Sequence, residues 1–93
     1  PRANRRVALQ ILWDDDAWQE YLSWQTQDKQ NLKKINELIK DISRNPFDGI
    51  GKPEAIKGNL SGFYSRRINH EHRLVYAIKD DKIYIISCKG HYK

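Results

Sequence analysis

The chain has one cysteine, Cys88, among 93 residues, and a lone thiol cannot close a disulfide within the chain. No apolar run reaches the roughly 18 residues of a membrane-spanning helix. The N-terminus lacks the apolar stretch of a secretory signal. These absences read as a soluble, cytoplasmic protein with no membrane partner. A phosphate loop is missing as well. The segment 47–61 is rich in glycine, but Lys52 is followed by Pro53 where that motif requires Ser or Thr. What is present suits one small domain. Hydrophobic residues make up 39% and aromatics 11%, enough for a core and too much for intrinsic disorder. A domain of this length buries only roughly 60–65% of its extended-chain surface, which favours stabilisation by a partner or by a second copy.

Charge is unevenly spread. The net charge is +5. Residues 1–48 balance to zero, so the whole excess lies in 49–93, together with His70, His72 and His91. The second half is therefore the candidate polyanion surface, and a solvated basic face is the plainer alternative.

Residues 1–6 read as a polar, basic extension and 7–93 as the single domain. Val7 to Trp13 is short, apolar and β-capable, so it predicts a first strand. Asp14, Asp15 and Asp16 suit a helix N-terminus better than a metal site. Ala17, Trp18, Tyr21, Leu22 and Trp24 follow at helical spacing, predicting a helix over 14–25 with a core-facing aromatic side. Thr26 or Asp28 can cap a second helix. Leu32, Ile35, Leu38, Ile39 and Ile42 form its apolar stripe, and Asn45-Pro46 ends it. The remainder predicts a loop over 47–61 and three strands, over 63–69, 72–78 and 83–89, with turns at 69–71 and 79–82. The fold class is α+β: a β-α-α-β-β-β order, with an antiparallel sheet carrying a helical hairpin on one face.

Alternation assigns the faces. Leu74, Tyr76, Ile78 and Ile68 point to the helices. Phe63, Ser65, Arg67, Arg73, Val75 and Ala77 point the other way, which brings Arg67 and Arg73 together on an open basic face.

An open basic face alone makes a binding module. An enzyme also needs a proton acceptor, a proton donor and an anion clamp. Glu54 follows Pro53 in a loop carrying Lys52 and Lys57, and His91 lies in the tail beside Tyr92. A carboxylate, an imidazole and two guanidinium groups suit cleavage of RNA without metal or cofactor. The carboxylate deprotonates a ribose 2′-hydroxyl, the arginines neutralise charge on the phosphoryl oxygens, and the histidine protonates the leaving 5′-oxygen. A solvated Glu54 and a disordered His91 are the plainer readings. His70 and His72 with Cys88 or His91 match no common zinc spacing. Cys88 has no supporting base pattern and reads as a reduced, half-buried strand residue.

The motifs Asn45-Pro-Phe, Gly51-Lys-Pro-Glu54, Gly62-Phe-Tyr-Ser-Arg-Arg67, Glu71-His-Arg-Leu-Val-Tyr76 and the terminal His91-Tyr92 resemble the YoeB family of bacterial toxins. That family lies within the RelE-like group of type II toxin–antitoxin modules. The resemblance runs from about Ile11 to Tyr92. It implies the microbial-ribonuclease-like RelE-type fold and a ribosome-dependent endoribonuclease that cuts mRNA in the A site. It further implies Glu54 as general base, Arg73 as transition-state stabiliser and His91 as general acid. Lys57, Arg67 and Tyr92 would bind and place the substrate. Tyr64 stands where a Trp is common in the family, Lys93 extends past the usual end, and the basic arm is unusual.

The family also implies a YefM-like antitoxin folding over the basic face, a homodimer, and operator DNA reached only through the antitoxin complex. A non-catalytic basic module is the rival class. The Glu54–His91 pair separates the two, because binding alone gains nothing from a carboxylate.

Overall fold

A computed structural model describes residues 9–58 and 62–90. The arm 1–6, the expected strand start at Val7, and the tail residues His91 and Tyr92 lie outside the described residues.

Strand β1 spans Gln10–Trp13 and leads into helix α1, Asp15–Gln27. Asp14 caps that helix, its carboxylate accepting from the Asp16 backbone N–H at 3.3 Å, while Asp15 and Asp16 occupy the positive first turn. Helix α2, Lys29–Arg44, follows after one residue. Asp28 is its cap, accepting from the N–H groups of Gln30 and Asn31. Its stripe is buried as the spacing requires: Ile35, Leu38 and Ile42 have no exposed surface. Trp24 is buried in the core, but Trp18 projects into solvent and rests against Trp13 and Tyr21.

Four further strands complete the sheet: β2 (Glu54–Ala55), β3 (Tyr64–Arg67), β4 (Arg73–Lys79) and β5 (Lys82–Ser87). The order across the sheet is β1-β5-β4-β3-β2. The α+β class and the hairpin on one face hold, with two differences. The sheet is mixed rather than wholly antiparallel, since β1 joins β5 in parallel. The expected loop contains β2, a two-residue edge strand antiparallel to β3. The β4–β5 turn has Asp80 and Asp81 at φ 53° and 61°, the paired left-handed conformation that matches the twist of a two-residue hairpin.

Leu74, Tyr76, Ile83, Ile85, Ile68 and Cys88 form the core with the helices, and Ile78 packs at its margin. The other face is not bare. Ser65 and Val75, paired across β3 and β4, are buried, as is Ile56 beyond β2. Cys88 is fully buried, not half-buried. Among the described residues no helix is long and apolar enough to cross a membrane.

Candidate active site

The segment that delivers Glu54 to the sheet edge is held by a buried arginine. Arg66 alternates onto the helix side of β3 and has no exposed surface. Its guanidinium donates to Asp41 Oδ2 at 2.7 Å, to the carbonyls of Ile50 and Asp48 at 3.2 and 3.0 Å, to the Asn45 carbonyl, and through Nε to the Tyr76 hydroxyl at 3.1 Å. All five of its N–H donors are thereby used. Tyr76 in turn donates to the Pro46 carbonyl, and burial pushes its phenol up, keeping it protonated. The Arg66 hydrogen bond holds the Asp41 carboxyl below its usual range. Gly51, at φ 79°, brings its carbonyl to the Arg67 N–H at 2.6 Å. A Cβ there would sit 2.7 Å from a Leu38 methyl and 3.2 Å from the Arg67 carbonyl, so at this positive φ glycine makes the close approach with least strain.

On the opposite face the register arranges the charged residues in rows. Glu54 stands beside Ser65, and Ser65 beside Val75. The next row has Arg67 directly opposite Arg73. Residues two apart on a strand share a face, so the two rows are about 7 Å apart along the strands, with neighbouring strands about 5 Å apart. Glu54, Arg67 and Arg73 therefore project from one surface at spacings their side chains can bridge through a phosphate-sized group. Glu54 and Arg67 are exposed, and Arg73 is half-buried. Arg73 spends Nη1 on the carbonyls of Asn69 and His72 at 2.8 and 3.2 Å. This fixes the guanidinium while Nε and Nη2 take no partner among the described residues. Lys57 is exposed, two residues past β2.

The end of β5 is clamped from both sides. Cys88 donates its N–H to Glu20 at 2.8 Å and accepts from the Trp24 indole at 3.0 Å. Lys89 lies over the Trp24 ring at 4.7 Å and donates to Ser23. Gly90 accepts from the Arg73 backbone N–H at 3.0 Å and donates its own N–H to His72 Nδ1 at 2.8 Å. Burial and the nearby Glu20 push the Cys88 thiol up to about 12, far from a nucleophile's range.

Of the residues singled out in the sequence, Glu54, Arg67 and Arg73 share a face and Lys57 lies close by in sequence. His91 and Tyr92 are outside the described residues. Sequence reasoning missed Arg66 and weighed His72 only as a zinc ligand. Arg66 was given no place of its own, although strict alternation from Arg67 puts it among the inward side chains. Tyr64 also points inward, between Phe47 and Tyr76 at 5.0 and 6.0 Å, so this departure from the family pattern is remote from the charged face.

The family model for the YoeB-like toxin of bacterial type II toxin–antitoxin systems matches residues 13–92. The chain belongs to the YoeB family. It is 57% identical to the toxin YoeB of Escherichia coli strain K12 over 84 residues, covering 90% of this chain and all of that one. The YoeB dimer from Staphylococcus aureus is 55% identical, covers 92% of this chain and all of its own, and superposes with a TM-score of 0.86. A heterotetrameric YoeB–YefM complex from the same organism shows the same identity and coverage, with a TM-score of 0.84. This YoeB-family chain is thus a toxin of a type II toxin–antitoxin system, built on the RelE-like fold.

Proposed function

We propose that this toxin is a ribosome-dependent endoribonuclease that cuts mRNA in the A site by metal-free acid–base chemistry and so stops translation. The observation that carries the reading is the common face of Glu54, Arg67 and Arg73. A carboxylate gains nothing on a surface that only binds RNA, since it repels phosphate, but it is required where a 2′-hydroxyl must lose its proton.

Glu54 accepts that proton, and the freed oxygen attacks the adjacent phosphorus. Arg73 neutralises the charge growing on the phosphoryl oxygens, its guanidinium held in place by two carbonyl contacts, so little reorganisation is needed as charge develops. Arg67 and Lys57 hold the substrate phosphates. His91, one residue past the clamped Gly90, protonates the departing 5′-oxygen, and Tyr92 helps to place the substrate. The products are a 2′,3′-cyclic phosphate and a 5′-hydroxyl. The ribosome's part is to impose the in-line geometry that free RNA rarely adopts.

The Staphylococcus aureus complexes support a YefM-like antitoxin and a homodimer as partners of this chain. Operator DNA is then contacted through the antitoxin complex, and the toxin acts in the cytoplasm.

The test is to map the 5′ ends of message from ribosome complexes with wild type and Glu54→Gln side by side. New ends within the A-site codon should appear with wild type and be lost with the variant. Arrested translation with intact message would leave only a basic docking surface.

A further inference from the structure

We propose that His72 is a positioning residue that sets the general acid, through a latch on the backbone of Gly90. The inference rests on the nuclease reading and names a group that reading leaves without a task.

The latch has three observed parts. Gly90 donates its N–H to His72 Nδ1 at 2.8 Å. Its carbonyl accepts from the N–H of Arg73, the next residue along. Gly90 itself adopts φ 79°, a left-handed turn that a side chain would strain. Both polar backbone groups of the residue preceding His91 are thus fixed by consecutive residues of β4 and the turn before it.

The imidazole is itself held. Its ring meets the edge of Trp24 at 4.8 Å between centroids. Its Nε2 lies 3.7 Å from Glu71 Oε1. The turn beneath it is closed by Asn69, whose side-chain oxygen accepts from the N–H groups of Glu71 and His72 at 2.7 and 2.8 Å. Accepting at Nδ1 requires the ring proton to sit on Nε2, toward Glu71. The same turn supplies the Asn69 and His72 carbonyls that hold Arg73. One short structure therefore sets the transition-state arginine directly and the start of the tail through His72. Without the His72 acceptor Gly90 would be held by its carbonyl alone, leaving the acid free to turn about that single bond, and a misplacement of about 1 Å costs about 10²-fold in rate.

The experiment compares His72→Phe, which keeps a ring against Trp24 and removes the acceptor, with His72→Asn, whose Oδ1 can take the position of Nδ1. Each is read as mRNA cleavage on programmed ribosomes, with thermal melts alongside and hydrogen exchange at the Gly90 amide of the free toxin. His72→Leu replaces His72→Phe if the latter does not melt cooperatively. The expected result is fast Gly90 exchange and a kcat lowered about 10- to 100-fold in His72→Phe, with KM for the ribosome complex unchanged. His72→Asn should restore slow exchange and come within about threefold of wild-type kcat.

Wild-type cleavage by His72→Phe overturns the inference. Equal impairment of both variants also overturns it, because the contribution is then packing and not the acceptor. His91→Gln separates the two levels. If that variant cuts normally, the nuclease reading of His91 fails and the latch falls with it. If it is inactive while His72→Phe is active, the latch alone fails.

Discussion

The guanidinium of Arg66 meets the carboxylate of Asp41 at 2.7 Å, with the arginine side chain fully buried and the aspartate 17% exposed. The pair joins the last turns of α2 to β3 and encloses the 45–50 segment. Removing Asp41 leaves a buried cation with its main counter-charge gone. Asp41→Ala should lower stability by about 3–5 kcal/mol, the usual cost of stripping one partner from a buried pair. Urea unfolding at neutral pH measures this. A loss below about 1 kcal/mol would show that the carbonyls of Asn45, Asp48 and Ile50 suffice for the arginine.

The same pair predicts an acid limit. Arg66 holds the native Asp41 carboxyl below its usual range. A depressed carboxyl contributes stability that is complete above its unfolded value, about 3.9, and is lost as pH falls through the native value. Unfolding midpoints in urea should therefore drop as pH falls below about 4. In Asp41→Asn that drop should be smaller, from a lower starting stability. Parallel curves for the two proteins would assign acid lability to other carboxylates.

Cys88 should be chemically silent in the native state. Its thiol has no exposed surface and is pushed up to about 12, so at pH 8 the thiolate fraction is roughly 10³-fold below that of an ordinary cysteine. Iodoacetamide should label it only on unfolding, with a labelling rate that follows the global opening rate in urea. Rapid native labelling, read by mass spectrometry, would contradict the burial.

The elements that could be read from the sequence are those that local periodicity specifies. The Leu32–Ile42 stripe gave α2, and alternation from Leu74 to Ile78 gave the inward face of β4, because both patterns repeat within a few residues. The pairing of β1 with β5 could not be read in this way. Ile11 and Ile83 are register partners some seventy positions apart, and nothing in either strand encodes the other. β2 escaped for the opposite reason: two residues are too few to show a period. Arg66 and Arg67 mark the same limit at the site. They are identical neighbours, and only the pleat decides that one ties down a loop while the other faces solvent. The shared face of Glu54, Arg67 and Arg73 depends on the register of three strands, which hydrophobic pattern constrains and composition does not.

Arg67 and Arg73 stand directly opposite each other in the antiparallel ladder, an arrangement in which like charges repel. A protein selected only for stability would not retain it. Arg67 is exposed, and its side chain has no hydrogen bond among the described residues, so replacing it removes repulsion without orphaning a partner. Arg67→Gln should leave stability unchanged or raise it by about 0.2–1 kcal/mol. The same change should slow mRNA cleavage on the ribosome about 10- to 100-fold, through the lost phosphate contact. Thermal melts and single-turnover cleavage on one preparation measure both. Opposite movement of stability and rate marks a residue kept for substrate, whereas a variant that is both less stable and slower would place Arg67 in the framework instead.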